Sequence, residues 1–370
     1  MRPNAVVATT TLLLLALTAC SAAPEPTPEP PTPAPTASTP PIEAALPYTC
    51  DDLVPGDLVA ATLQGGDGTP VEPVPATYER FAFADLLLTG AGGLACSWRV
   101  GTGMPDYNGT DWAYLRVDVL PGGALAWTPE WAGDAPSTES REIAGVEASV
   151  AVGDSGWRIS APVGDAWLRA TISAAGLTGS GSRFLGVDAA EMLDRLAVAA
   201  SSAAEAVQAA PDRAAWQIAP LRDGEAACTG GLAEPGVVEA EQLDGASYTY
   251  ALGLAATREI TGFDDAVRVA ARTFDCELVV DGFGPLPLVT IETARGLGDL
   301  FARIGEPDTD AAFVPLELAD VPAGQHVDAA VRSAEDGPSS PVILRVGDTV
   351  YEINGDGAAA VAQAIVHQTY

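Results

Sequence analysis

Nucleophilic catalysis by a serine is the first chemistry to consider for the side chains of this chain. Gly153-Asp154-Ser155-Gly156 has the residue order of a turn that presents a nucleophilic serine. A catalytic triad of that kind needs a histidine and an aspartate before the serine. The only two histidines, His326 and His367, both follow it. We therefore interpret the segment as a polar hairpin turn before the strand Trp157-Arg158-Ile159.

Metal ligands are equally scarce. Two separated histidines, with no spare cysteine, do not make a zinc site of the usual kind. The best calcium candidate is Asp106-Tyr107-Asn108-Gly109-Thr110-Asp111, but an EF-hand loop needs glycine at its sixth position and glutamate at its twelfth. Asp111 and Val117 occupy those positions. We predict a turn with solvated side chains, and we expect no metal and no cofactor, although calcium binding by other carboxylates stays open.

Carboxylates are so frequent that they single out no catalytic pair. The chain has 50 acidic residues, so many pairs could be proposed for glycoside hydrolysis, and none is favoured. The glycine-rich segment Gly90-Ala91-Gly92-Gly93 lacks the preceding strand and following helix of a nucleotide-binding loop. We assign no catalytic residue and expect a protein that is not an enzyme.

Two tryptophans are the candidate ligand-binding residues. Six of the seven tryptophans lie in the first half, and four of these are in strand-like runs typical of a core. Trp127 and Trp131 instead lie among Pro and Gly residues, where they could stack on a sugar ring or on an apolar partner surface. The alternative is that they fold back as a lid over the sheet.

The N-terminus indicates export and lipid attachment. One basic residue, Arg2, precedes the apolar run Ala5 to Leu17, which is shorter than the roughly 20 residues of a membrane-spanning helix. Leu17-Thr18-Ala19-Cys20 is similar to the bacterial lipobox. We predict cleavage before Cys20, lipidation of that cysteine, and an extracytoplasmic location on the outer face of the cytoplasmic membrane.

The segment after Cys20 and the overall charge narrow the partners. Pro24 to Pro41 alternates proline with small residues, which is typical of an extended spacer. The 18 basic residues are all arginine, and the net charge is -32. Because phosphate binding needs clustered Lys and Arg, we exclude nucleic acid as a partner.

The four remaining cysteines predict two disulfides in an exported protein. Of the three connectivities, we favour Cys50 with Cys96 and Cys228 with Cys276, because the separations of 46 and 48 positions are nearly equal. Further landmarks recur in the same order in both halves. They are a helical stretch after the first cysteine, a strand starting at the second, the Val-Gly-Asp turns at Val163 and Val346, and a closing Ala-rich helix. We infer a duplication.

We predict an α+β fold with two tandem related domains, each an antiparallel sheet with helices packed on one face. Alternation around Trp112-Ala113-Tyr114-Leu115 indicates a half-buried strand. Asp51 or Asp52 could cap the first helix. The expected segments are a signal peptide at 1–19, a lipidated linker at 20–44, and domains at 45–208 and 209–370.

Thr49 to Leu63 and Leu94 to Val100 resemble a family of uncharacterised actinobacterial lipoproteins and sensor-type extracellular domains. This chain and that family share a cysteine followed by Asp-Leu and a later cysteine followed by x-Trp. In the second half of this chain, Leu278 replaces that tryptophan. The resemblance implies a binding or sensing role at the cell surface with no assigned catalytic residues. Our first hypothesis is therefore a surface lipoprotein with a binding, sensing or interaction role at the cell envelope and a cell-wall component or envelope protein as partner. The alternatives are an envelope hydrolase using carboxylates and a solute-binding lipoprotein of a transporter.

Overall fold

The structure is a computed structural model. It describes residues 47–75, 82–102, 111–153, 156–179, 181–210, 248–254, 260–271, 273–280, 287–305, 313–332, 341–355 and 357–369. The predicted signal peptide, Cys20, the linker and Cys228 lie outside these residues. All the described residues belong to one unit of the chain, Ile42–Tyr370.

The first half contains four helices and nine strands among its described residues. The helices are α1 (Cys50–Leu53), α2 (Gly56–Thr62), α3 (Ala82–Gly90) and α4 (Ala189–Ala209). The strands are β1 (Val74–Pro75), β2 (Leu94–Thr102), β3 (Asp111–Leu120), β4 (Trp131–Ala132), β5 (Ala135–Pro136), β6 (Ser140–Ile143), β7 (Val146–Gly153), β8 (Gly156–Val163) and β9 (Ala166–Ala174). A short 3-10 helix, Gly123–Ala126, follows β3.

The described part of the second half repeats this succession. Its helices are α5 (Phe263–Ala271) and α6 (Ala358–Thr369), with a 3-10 helix at Gly298–Gly305. Its strands are β10 (Tyr248–Leu254), β11 (Phe274–Val280), β12 (Pro287–Arg295), β13 (Phe313–Pro315), β14 (Val327–Arg332), β15 (Val342–Val346) and β16 (Thr349–Gly355). Among the described helices, none has both the length and the apolar character required to cross a membrane.

The two large sheets have the same topology. Each has seven strands, in the order β1-β2-β3-β9-β8-β7-β6 in the first half and β10-β11-β12-β16-β15-β14-β13 in the second. If the seven strands of each sheet are numbered 1 to 7 in chain order, leaving out the β4–β5 hairpin, the spatial order in both sheets is 1-2-3-7-6-5-4. Neighbouring strands pair antiparallel throughout the described sheets. The α+β class predicted from the sequence is therefore confirmed, and the shared order supports the predicted duplication.

The start of the first half is fixed by local chemistry and by a disulfide. Thr49, rather than Asp51 or Asp52, is the N-cap of α1, and Asp52 completes the capping box by accepting from the Thr49 backbone N–H at 2.8 Å. Pro55 separates α1 from α2, so the helical stretch is two short helices. Cys50 on α1 is joined to Cys96 on β2, with their Cα atoms 5.5 Å apart. This is the first pairing favoured by the sequence.

Equivalent tight turns join the last two strands of each sheet. Gly164 and Gly347 have φ angles of +60° and +63°, and each occupies the first central position of a two-residue hairpin loop. That position requires the left-handed backbone region that glycine adopts most easily. The two turns therefore set β8 against β9 and β15 against β16 in the same register.

Among the described residues, three large hydrophobic clusters form most of the core, and Trp112 and Tyr114 form a small fourth one. The first packs α1, α2 and α4 on one face of the first sheet, and the second packs α6 on one face of the second sheet. The third is shared: side chains of α3 and α5 pack with Leu120 and Trp167 of the first sheet and with Ile343 and Val350 of the second. Each sheet thus has helices of its own on one face. The opposite faces of the two sheets both pack against α3 and α5, which form a layer that the two halves share.

This shared layer corrects one expectation. The alternation in β3 predicts a half-buried strand, but every residue from Trp112 to Leu120 is buried. Val117 and Val119 face the first cluster, whereas Arg116 and Asp118 point to the other side, where α3 and α5 pack. The alternating pattern correctly predicts which way each side chain points. The prediction of a half-buried strand is wrong, because helices cover the polar face as well.

Candidate functional site

Charged residues lie at equivalent places in the central strand pairs of both sheets. Asp118 on β3 is directly opposite Arg169 on β9, and Glu292 on β12 is directly opposite Glu352 on β16. Arg169 follows Val163 by six positions, and Glu352 follows Val346 by six. Because strand order and hairpin turns coincide, an acid–base pair in the first half corresponds to a pair of acids in the second.

In the first half these charges neutralise one another. Asp118 is fully buried and forms ion pairs with Arg116 at 2.7 Å and with Arg169 at 3.0 Å. Arg116 also donates to Asp85 of α3 at 2.6 Å. Burial raises the pKa of Asp85, and the neighbouring Arg116 opposes that shift. The result is a buried ion network that connects α3 to two strands of the sheet.

Helix α5 of the second half reaches into this network. Its Asp264 forms an ion pair with Arg169 at 3.0 Å. The Arg169 guanidinium also lies 4.3 Å from the centre of the Phe263 ring. Phe263 also meets the fully buried Trp167 edge to face at 5.6 Å. Asp264 lies in the first turn of α5, where a negative charge is favoured by the helix dipole. The two halves are therefore joined by both charge and apolar packing.

The second half has a different charge balance. Arg268 of α5 donates through its Nε to Glu292 at 2.8 Å. Glu352 faces Glu292 across the strand pair and accepts a hydrogen bond from the Asn354 side chain. Burial, and then the negative charge of Glu292, raise the pKa of Glu352 to about 7.

A cavity of about 160 Å³ lies where these groups meet. Helices α3 and α5 supply its apolar wall, and strands of both sheets and α5 supply its charges. Its apolar lining includes Phe83, Leu87, Leu88, Phe263 and Val267, and its charged lining comprises Arg116, Arg169, Asp264, Arg268, Glu292 and Glu352. Phe83 and Phe263 each precede the cysteine of the following strand, Cys96 or Cys276, by 13 positions. The cavity therefore lies between equivalent parts of the two halves.

The raised pKa of Glu352 gives a measurable pH dependence of stability. Its ordinary pKa is 4.5, so between about 4.5 and 7 the folded state holds a proton that the unfolded state has released. The contribution of Glu352 to the free energy of unfolding therefore falls as pH rises through this window, by up to about 3 kcal/mol. We expect Glu352→Gln to remove this loss, so that the variant gains stability relative to the wild type from pH 4.5 to 7.

The measurement is denaturant unfolding at several pH values, reported as the difference between variant and wild type. Glu147→Gln is the matched control, because Glu147 faces Glu142 across β6 and β7 at an exposed site. Its difference curve is expected to stay nearly flat. A flat curve for Glu352→Gln as well would show that Glu352, with Glu292, Arg268 and Asp264 around it, does not titrate in this window.

Trp127 and Trp131, the two predicted ligand-binding residues, both donate their indole N–H groups within the protein. Trp127 is half-buried, and its Nε1 donates to Ser160 Oγ at 3.3 Å. Trp131 is 39% exposed, and its Nε1 donates to the Thr261 carbonyl oxygen of the second half at 2.8 Å. Trp131 therefore connects the halves directly, Trp127 packs against the third, shared cluster, and the binding role of both stays a prediction.

The other predicted sites have different outcomes. The segment 106–111, predicted to be a turn with solvated side chains, lies outside the described residues except for Asp111, which pairs with Arg183 at 2.7 Å. Residues 154 and 155 are also outside them, while β7 and β8 pair as far as Gly153 and Gly156. The backbone of Cys276 lies in β11, but its predicted bridge to Cys228 falls outside the described residues.

The charged cavity was missed by sequence reasoning, because 50 acids offered no basis for choosing a pair. A usable signal did exist. Arg116 and Asp118 interrupt a largely apolar strand sequence, and the Val-Gly-Asp turns align Glu352 with Arg169.

Neither the possible metal ligands nor comparison with known proteins adds a further assignment. Within the described ranges, no group of three or more His, Cys, Asp or Glu side chains could hold a metal ion. No family model, curated protein or solved structure matches this chain.

Proposed function

We propose that the chain is a non-enzymatic surface lipoprotein, anchored through Cys20 to the outer face of the cytoplasmic membrane, with a binding or sensing role at the cell envelope. The lipobox-like Leu17-Thr18-Ala19-Cys20 and the proline-rich spacer support the anchor. The resemblance of Thr49 to Leu63 and Leu94 to Val100 to sensor-type extracellular domains supports the role.

The observation that carries the binding role is the cavity built by both repeats. A molecule held there contacts side chains from each half, from Phe83 and Arg169 in the first to Arg268 and Glu352 in the second. A ligand that binds only the folded state stabilises it in proportion to ligand concentration. Occupancy would therefore strengthen the association of the halves, which is a physical basis for sensing.

The binding role is tested by unfolding the mature chain in the presence of fractionated small molecules and cell-wall fragments. A ligand of the cavity raises the unfolding midpoint in a concentration-dependent way. This increase in the unfolding midpoint should be lost in a variant in which a larger side chain fills the cavity. It should be kept when Trp127 and Trp131 are both replaced by alanine. Loss of the increase only in the tryptophan variant would move the binding site to the Trp127–Trp131 loop.

The anchor gives a separate prediction. We expect Cys20→Ser to remove the acyl chains, so that the membrane-associated fraction falls by about tenfold or more, since lipid chains supply most of the membrane affinity. Ser38→Ala in the spacer is the matched control and should stay with the membrane. Fractionation and the mass of the N-terminal peptide measure this, and a Cys20→Ser chain that remains membrane-bound would contradict the anchor.

A carboxylate hydrolase is the second candidate, and one observation favours it. Glu292 and Glu352 face each other in the cavity, and a carboxyl with a pKa of about 7 is suited to donate a proton at neutral pH. The cavity of about 160 Å³ is, however, smaller than the roughly 300–1,000 Å³ of usual ligand pockets. Glycan cleavage that depends on Glu352 would support this candidate over simple binding.

A transporter's solute receptor is less well supported. Such a receptor is expected to have two lobes with alternating parallel strands and helices. Here the strand pairs in both described sheets are antiparallel, and the halves share a packed layer.

A further inference from the structure

The duplicated fold shows which charge is missing from the second half. In the first half, Arg169 lies opposite Asp118 and pairs with it at 3.0 Å. In the second half, Glu352 occupies the position of Arg169, opposite Glu292. The strand pair that contains an internal cation in one repeat therefore contains two acids in the other.

Charges nearby neutralise this excess only in part. The cavity lining and the residues paired with it include three arginines, Arg116, Arg169 and Arg268, against five carboxylates, Asp85, Asp118, Asp264, Glu292 and Glu352, and a fourth arginine, Arg303, acts on Asp85 from outside the lining. Each of the three lining arginines already pairs with a carboxylate, at 2.6, 3.0 and 2.8 Å for Arg116–Asp85, Arg169–Asp264 and Arg268–Glu292. An anion would have to compete with these pairs, whereas a cation would add to the charge balance.

The size and lining of the cavity restrict the cation. A volume of about 160 Å³ is close to the roughly 150 Å³ of a cavity that holds benzene. Its lining combines apolar side chains, among them Phe83, Leu87 and Val267, with the acids Glu292 and Glu352 and with arginines that already pair with carboxylates. A molecule with a short apolar body and one positive end matches this combination.

We propose that the cavity binds a small organic cation, with its ammonium or guanidinium group between Glu292 and Glu352 and its apolar part against the α3 and α5 side chains. This assignment rests on the proposed binding function and names its ligand class. The ligand supplies in the second half the positive charge that Arg169 supplies in the first.

The experiment uses the folded mature chain and three probes of similar shape: butylammonium, 1-butanol and butyrate. Binding is measured by calorimetry at pH 7.5, with the unfolding midpoint as a second readout. We expect saturable binding of butylammonium at a Kd at least tenfold lower than that of either other probe. Glu352→Gln should weaken butylammonium binding by about tenfold or more, because the charged acceptor is lost.

Glu352→Arg is the sharper variant, because it recreates the arrangement of Asp118 and Arg169. Its guanidinium should pair with Glu292 and occupy the cavity, so we expect no detectable binding together with an unfolding midpoint at least equal to that of the wild type. Glu147→Gln, at the exposed acid pair of β6 and β7, is the matched control and should bind as the wild type does. If Glu352→Arg does not fold, Glu352→Gln decides the question.

The outcomes separate this inference from the function on which it rests. Preferential binding of 1-butanol or butyrate would overturn the cation assignment and leave the cavity as a binding site. Butylammonium binding that is unchanged in both Glu352 variants would also overturn it. Binding of none of the three probes, together with no response to envelope fractions, would reject both the cation and the cavity as the protein's binding site.

Discussion

Arg116→Ala is expected to destabilise the protein by about 3–5 kcal/mol, as when one partner of a buried ion network is removed. Arg116 is almost entirely buried, and it binds Asp118 at 2.7 Å and Asp85 at 2.6 Å. Without it, the fully buried Asp118 keeps only the Arg169 contact among these pairs, and Asp85 loses the guanidinium that favours its ionised form. Denaturant unfolding at pH 7 measures the loss.

The matched control is Arg141→Ala. Arg141 pairs with Asp194, and both side chains are more exposed than those of the Arg116 network. Exposed ion pairs contribute about 0–1 kcal/mol, so this variant should unfold close to the wild type. Equal effects of the two substitutions would show that the shared charged layer is solvated rather than buried.

Loss of the Cys50–Cys96 disulfide is the second large effect that we expect. The bridge closes a loop across a sequence separation of 46, and the entropy of such a loop in the unfolded chain corresponds to about 4 kcal/mol. It also attaches α1 to β2, and the side chains of Leu53 on α1, Val59 on α2 and Leu63 directly after α2 are buried in the first cluster. We expect Cys50→Ala combined with Cys96→Ala to lower the free energy of unfolding by roughly 2–5 kcal/mol.

Denaturant unfolding of the oxidised wild type and the double variant measures this effect. Peptide masses of the unreduced protein provide the control, because they identify the cysteines that are joined. They also test the predicted Cys228–Cys276 bridge. A double variant within about 1 kcal/mol of the wild type would mean that the bridge adds little beyond the packing of α1 and α2, in contrast to the loop-entropy argument.

Much of the local structure could be predicted from the sequence, because it depends on short-range chemistry. The period-two pattern in β3 gives the direction of each side chain, and the Val-Gly-Asp turns indicate hairpins that the structure contains at Gly164 and Gly347. The tryptophans in strand-like runs, Trp98, Trp112, Trp157 and Trp167, are all buried, as their setting indicates. The Thr49 cap was missed, because Asp52 serves as its partner rather than as the cap.

The candidate site could not be predicted in the same way. The alternation in β3 predicts a half-buried strand, and such a pattern does not indicate that charged residues such as Arg116 and Asp118 are covered by helices. They are buried because α3 and α5 cover that face. The importance of Glu352 also depends on this cover, since burial is the main cause of its raised pKa.

The sequence by itself determined the α+β class, the repeated order of landmarks and the spacing of Cys50 and Cys96, all of which arise from periodicity, turn chemistry and counting. Only the tertiary structure decided that the second faces of the two sheets contribute to one layer, and that Glu292 and Glu352 line a cavity there. The physical reason is that burial depends on contacts between residues far apart in the chain. Local sequence specifies which way a side chain points, but not which distant element covers it.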